Sequence, residues 1–245
     1  MQQKTMAGTR AKLSEIFTSI EGEGILFGTK TMFVRLAGCP LKCHWCDTPY
    51  ALSVDSGIDY SIDEVKELIS KSLQPNTYKV NFTGGEPLLQ YEAVVELAKF
   101  VKQKGMRIYL ESACYDSLRF EKVLPYIDLC KVEFKLRDSK AVSERHYDNL
   151  LRNELDCLKQ SVRSFKTTYI KVVVTKSSNL SEFKKIVHEV FRMVRPSDLA
   201  GFIIQPSHTF DEPALDELFG FYDVVYPLYD QVRIVPQLHK IIGAR

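Results

Sequence analysis

Residues 31–46 read TMFVRLAGCPLKCHWC, and residues 78–87 read YKVNFTGGEP. Each stretch begins as a short β-branched and aromatic run, the pattern of a strand buried on both faces. Each then breaks into residues that carry chemistry: Cys39, Cys43 and Cys46 in the first, and Thr83-Gly84-Gly85-Glu86-Pro87 in the second. In sheets of parallel strands, active groups collect where strands end and loops begin. The two motifs are therefore predicted to share one rim.

Working outward, similar runs predict strands over 106–111, 128–134, 169–174 and 201–205. Helices are predicted between them. Ser61 with Glu64 forms a capping box ahead of Val65, Leu68 and Ile69. Residues 88–104 carry apolar side chains at helical spacing and stop at Gly105. Further helices are predicted over 117–124, 147–162, 180–193 and 213–222. Six strands alternating with helices imply an α/β fold of parallel units, either an open doubly wound sheet or a partial barrel. No internal repeat or low-complexity linker divides the chain, so residues 13–245 are expected to form a single domain. Residues 1–12 are expected to be a mobile tail.

The composition narrows the function. The chain has 245 residues, 45% hydrophobic and 26% charged, which is ordinary for a globular protein and excludes a disordered chain or a disulfide mini-scaffold. Lys and Arg number 33 against 31 Asp and Glu, a net charge of +2 that gives no reason to propose a nucleic-acid partner. No apolar run approaches the ~20 residues of a membrane span, and the polar N-terminus lacks the apolar core of a secretion signal. A soluble, cytoplasmic protein with no membrane partner is expected. In a reducing compartment its six cysteines are thiols or metal ligands rather than disulfides.

The cysteines are unevenly placed. Cys39-x3-Cys43-x2-Cys46 lies within eight residues, whereas Cys114, Cys130 and Cys157 are scattered. Zinc commonly takes four ligands from paired knuckles, and no second knuckle is present, although His44 offers a fourth ligand. A zinc-stabilised binding module is thus one reading. The spacing favours the other, an iron–sulfur cube held by three thiolates, with one iron left open to a small molecule. In the second motif, Gly84 and Gly85 let the backbone approach a ligand closely, Glu86 offers a carboxylate, and Pro87 fixes entry into the next helix. That corner suits an amino-acid head group.

Taken together, these motifs resemble the radical S-adenosylmethionine (SAM) superfamily. The resemblance implies a partial (β/α)6 barrel with a short N-terminal extension and a C-terminal segment. It implies a [4Fe–4S] cluster on Cys39, Cys43 and Cys46, with SAM on the open iron and Gly84, Gly85 and Glu86 at its methionyl amine. Three further stretches, EIFTSIEGEG at 15–24, CHWCDT at 43–48 and PQLHK at 236–240, resemble the 7-carboxy-7-deazaguanine synthase family. That family converts 6-carboxy-5,6,7,8-tetrahydropterin to 7-carboxy-7-deazaguanine with loss of ammonia, a carbon–nitrogen lyase step of 7-deazapurine (queuosine- and archaeosine-type) biosynthesis. It requires Mg2+.

By this resemblance Glu21, Glu23, Arg35 and His239 line the substrate pocket, the last three as the catalytic set, and Thr48 gives an oxygen to Mg2+. Ser112 would bond the ribose of SAM, Gln205 would approach its adenosine, and Trp45 and Tyr50 would cover the nucleoside face. An electron donor such as a flavodoxin or ferredoxin and a homodimeric state are also implied. The chain has its own departures: Glu21 stands where glutamine is common, Ser112-Ala113-Cys114 follows the third strand, and Glu133-Phe134-Lys135 keeps only the lysine of a Ser-Pro-Lys stretch. Phe134-Lys135-Leu136, His146-Tyr147 and Asn153-Glu154 resemble glycyl-radical-enzyme activases, which makes a protein glycine the alternative substrate.

Overall fold

The computed structural model describes residues 8–208 and 210–244. Nine strands form one sheet: β1 (Arg10–Ile20), β2 (Lys30–Leu36), β3 (Ile58–Ser61), β4 (Lys79–Gly84), β5 (Arg107–Ser112), β6 (Leu129–Phe134), β7 (Thr167–Val174), β8 (Gly201–Pro206) and β9 (Val232–Ile234). Their order is β3-β1-β2-β4-β5-β6-β7-β8-β9, and every pair from β2 to β9 is parallel. β1 and β3 add an antiparallel extension on the β2 side. The fold is α/β, a partial barrel whose edges are β3 and β9. The six predicted strands are β2 and β4 to β8, each within two residues of its expected ends.

The helices that cover the sheet are α1 (Ile62–Ser72), α2 (Tyr91–Gln103), α3 (Ser117–Val123), α4 (Glu144–Arg163), α5 (Leu180–Met193), α6 (Leu215–Val225) and a short α7 (Leu238–Ile242). The Ser61 hydroxyl accepts from Glu64 N, and Glu64 in turn accepts from Ser61 N, so the expected capping box opens α1. Past the end of α2, Gly105 has φ +73°, the left-handed geometry of a helix stop.

Strand periodicity sorts the side chains into two layers. Val80 and Phe82 on β4, Cys130 and Val132 on β6, Ile170 and Val172 on β7, and Phe202 and Ile204 on β8 all join the main core under the helices. Full burial of an aliphatic or aromatic side chain of this size contributes about 1.5–3 kcal/mol. The alternate positions hold Lys79, Asn81 and Thr83 on β4, Lys131 and Glu133 on β6, Lys171 on β7 and Gln205 on β8, all buried. The hydrophobic layer builds the scaffold; the other layer is polar and faces the barrel interior.

One expectation is corrected. The tail expected over residues 1–12 reaches too far: Arg10, Ala11 and Lys12 belong to β1, pair with Ser61, Tyr60 and Asp59 of β3, and bury Ala11 completely. Residues 1–7 lie outside the described residues.

Candidate active site

The loop after β2 is fastened to three other loops through its backbone. Gly38 N and Cys39 N donate to the carbonyls of Ala51 and Leu52, while Lys42 N and His44 N donate to those of Ala141 and Ser139. From the β4 side, Gly85 N and Glu86 N donate to Leu36 O and Gly38 O. The two predicted motifs are therefore in direct contact on one rim. The contact gives the glycines a second purpose beside the ligand approach expected of them. A Cβ on Gly84 would lie 2.3 Å from Leu36 O, and one on Gly85 would lie 2.5 Å from Gly38 O. Only glycine allows the cysteine loop to sit that close.

Cys39, Cys43 and Cys46 all line a cavity of about 200 Å³ at this rim. Burial pushes the Cys39 thiol up to about 12 and raises Cys43 as well. Thiols so placed ionise when they bind a cation, as iron ligation requires. The three sulfurs do not all fall within 4.8 Å of one another. A single tetrahedral zinc, with Zn–S near 2.3 Å, would hold them closer. His44 is not among the cavity-lining residues, and its ring packs edge-on against Phe210 with centroids 5.8 Å apart. The zinc reading is corrected accordingly, and the donor set fits a wider iron–sulfur cluster.

Gly84, Gly85 and Ser112 line the same cavity, but Glu86 does not. The Glu86 carboxylate accepts from Leu88 N, Ser112 Oγ and Ala113 N at 2.7–2.9 Å, so it ties the end of β4 to the end of β5. Ser112 Oγ also accepts from Cys114 N at 2.8 Å. Trp45 lines the cavity, and its buried Nε1 has no acceptor among the described residues. Tyr50 is 54% exposed and donates to Glu15 instead of covering the cavity.

The substrate-side residues also meet here. Glu21, Glu23, Arg35, Thr48, Gln205 and His239 line the cavity. Arg35 Nε donates to Glu15 at 2.9 Å, and its Nη groups have no acceptor among the described residues. Glu23 is gripped by Lys171 at 2.6 Å, Gln205 at 3.1 Å and Gln237 at 2.7 Å. Gln237 also donates to Asp47 at 3.1 Å, and Leu238 N donates to Gly22 O, so the C-terminal segment is strapped across the pocket. Glu23, Asp47 and His239 each bring a donor atom within 4.8 Å of the others, and Thr48 Oγ1 lies 3.8 Å from Cys46 Sγ. The group offers two carboxylate oxygens and one imidazole nitrogen, a donor set that a divalent cation can use.

Beneath them runs an alternating chain of charge that the motif reading missed. Glu133 takes Lys131 at 2.5 Å, Lys171 at 3.0 Å and Lys135. Lys131 is shared with Glu111 at 3.4 Å. Burial alone would raise the Glu111 carboxyl, but Lys131, Lys171 and a bond from Asn81 bring it down to about 2. The signal for these residues was present in the sequence as polar side chains at alternate positions of otherwise apolar strands.

A parallel β/α partial barrel with three cysteines on the loop after its first parallel strand, meeting a Gly-Gly-Glu-Pro corner, defines a radical SAM enzyme, a class that uses a [4Fe–4S] cluster and SAM. Comparison with known proteins agrees. Residues 20–151 match the family model described as a 4Fe-4S single cluster domain. The chain is 30% identical to the 7-carboxy-7-deazaguanine synthase of Methanocaldococcus jannaschii, over 94% of this chain and 99% of the relative. It is 30% identical to that of Archaeoglobus fulgidus, over 96% of this chain and all of the relative. Among solved structures, Escherichia coli QueE superposes with a TM-score of 0.65 at 19% identity, covering 94% of this chain and 95% of that one, a likeness of fold. The chain belongs to the 7-carboxy-7-deazaguanine synthase family.

Proposed function

We propose that the chain carries out its family's reaction, conversion of 6-carboxy-5,6,7,8-tetrahydropterin to 7-carboxy-7-deazaguanine with loss of ammonia. The observation that carries this reading is that three half-buried thiols and Glu21, Glu23 and Arg35 line one cavity. When bound, the cluster and SAM supply hydrogen-atom abstraction from the substrate, and Mg2+ supplies a Lewis acid. Cys39, Cys43 and Cys46 hold the cluster, and the Gly84-Gly85 backbone and Ser112 receive SAM. Glu86 positions that corner by joining β4 to β5. Thr48 and Asp47 supply oxygen to Mg2+.

The remaining groups orient the pterin. Arg35 presents two Nη groups in a plane, a fork that matches the substrate carboxylate. Glu21 accepts N–H groups from the guanidine-like edge of the ring. Lys171, Gln205 and Gln237 hold Glu23 in one place, so it meets the substrate without reorganising. Gln237 and His239 bring the C-terminal segment over the pocket and limit water around the reacting ring. An external one-electron donor of the flavodoxin or ferredoxin class and a homodimer complete the reading. Among the described residues no helix is long and apolar enough to cross a membrane.

The decisive experiment is an anaerobic assay of cluster-reconstituted protein with SAM, reductant, Mg2+ and the pterin, read by mass spectrometry. Formation of 7-carboxy-7-deazaguanine is expected. SAM cleavage with unchanged pterin would overturn the substrate and point to a protein glycine, the substrate of activases.

A further inference from the structure

The deepest charged pair in the barrel is Lys79 with Glu21. Lys79 is fully buried on β4, and its Nζ donates to Glu21 Oε2 and to Thr31 Oγ1, both at 2.6 Å. It also stands over the Tyr109 ring at 5.1 Å. Asn81 Nδ2, two residues along the same strand, reaches the same Oε2 at 3.5 Å and Glu111 at 3.1 Å. Among the described residues, both hydrogen bonds to the Glu21 carboxylate thus fall on one oxygen. Oε1 has no donor among the described residues, although Glu21 is only 3% exposed and lines the cavity. On β4, Asn81 Oδ1 is a buried acceptor with no donor among the described residues. Stability alone does not explain the arrangement, because a buried ion pair is often no more stabilising than apolar side chains of the same volume. An acceptor left without a donor on a cavity-lining side chain does have a use in recognition. A site built to accept N–H groups rejects ligands that lack them, since the acceptor is then left unpaired.

We infer that Lys79 is a specificity-determining positioning residue: it occupies Glu21 Oε2 and reserves Oε1 for an N–H donor of the substrate's amino-pyrimidinone edge. The lysine offsets the carboxylate's charge, so the pocket reads hydrogen-bond donors without favouring cations. This inference rests on the pterin reading above and adds the means by which the exocyclic amine is recognised.

Two charge-free double variants test it. E21Q/K79M keeps a side-chain acceptor, whereas E21L/K79M removes it, and neither leaves an unpaired buried charge. For each reconstituted protein, dissociation constants are measured for 6-carboxytetrahydropterin and for its analogue lacking the 2-amino group. Melting temperature and the EPR signal of the cluster with SAM are recorded alongside. Wild type and E21Q/K79M are expected to prefer the amino compound by about ten- to a hundredfold. E21L/K79M is expected to lose that preference while retaining the cluster signal. Retention of the wild-type preference by E21L/K79M overturns the inference, as does equal weakening of both ligands in the two variants, which marks the pair as scaffold. Failure of the wild type to bind either pterin removes the pterin reading and this inference with it, and is seen before any substitution is made.

Discussion

The carbonyl oxygen of Gly38 lies 2.5 Å from the position a Cβ on Gly85 would occupy. That approach joins the cysteine loop to the end of β4, with Glu86 N donating to the same carbonyl at 2.8 Å. Gly85→Ala is therefore expected to push the cysteine loop away from the strand. Backbone atoms cannot yield as a flexible side chain does, so the cost is about 1–3 kcal/mol, typical of overpacking. A lowered melting temperature together with poor iron incorporation is the expected result; normal iron content with an unchanged melting temperature would contradict the close-packing account.

Cluster assembly should depend on the cavity-facing thiols alone. Replacing Cys39, Cys43 or Cys46 by Ala is expected to abolish activity and the cluster's EPR signal. Cys130 is fully buried under the helices, where burial pushes its thiol well up, and it belongs to the hydrophobic core. Cys130→Ala should assemble iron normally and lose only packing energy. Iron analysis of the four variants separates ligand from filler.

The interior charges make stability fall in acid. The unfolded Glu111 carboxyl titrates near its usual 4.5, while in the fold it titrates near 2 because Lys131, Lys171 and Asn81 offset its burial. Between these values the unfolded chain binds more protons, so the stabilisation present above about pH 4.5 is lost as the pH falls toward 2. Urea midpoints of the metal-free protein between pH 6 and 3 are expected to decline, and Glu111→Gln should flatten that decline. An equally steep decline in the variant would place the acid sensitivity elsewhere.

Gln237 is the clasp of the C-terminal strap, since its amide donates to both Glu23 and Asp47. Gln237→Ala leaves both carboxylates one donor short. Bonds to charged acceptors are worth about 1.5–3 kcal/mol, so KM for the pterin is expected to rise about tenfold or more. Steady-state kinetics at saturating SAM will show whether the change falls on KM; an effect confined to cluster content would be inconsistent with a clasp.

Much of the scaffold was legible because parallel strands buried on both faces leave short apolar runs between helices, and β2 and β4 to β8 all show them. β1 was not, because Arg10–Ile20 mixes polar and apolar residues on a half-buried antiparallel strand and its first residues look like a tail. β3 and β9 are four and three residues long, too short for a period to register. The rim motifs were legible as local patterns. What escaped was pairing: Lys79 and Glu21 are 58 residues apart, and the registers of β1 and β4 against β2 bring them together. The same holds for Glu86, whose role was assigned from its motif but whose partners come from β5 and the loop beyond it.

The alternating charges across the barrel floor also bear on how such a pocket changes over generations. Lys131 serves Glu111 and Glu133, and Lys171 serves Glu133 and Glu23. Losing Lys131 takes from Glu111 its lysine, and losing Glu133 takes from Lys135 its carboxylate, leaving a buried charge unpaired at a penalty of several kcal/mol. Drift at these positions must proceed by compensated double steps, so related chains are expected to differ here in linked sets, with lysine and glutamate appearing or vanishing together.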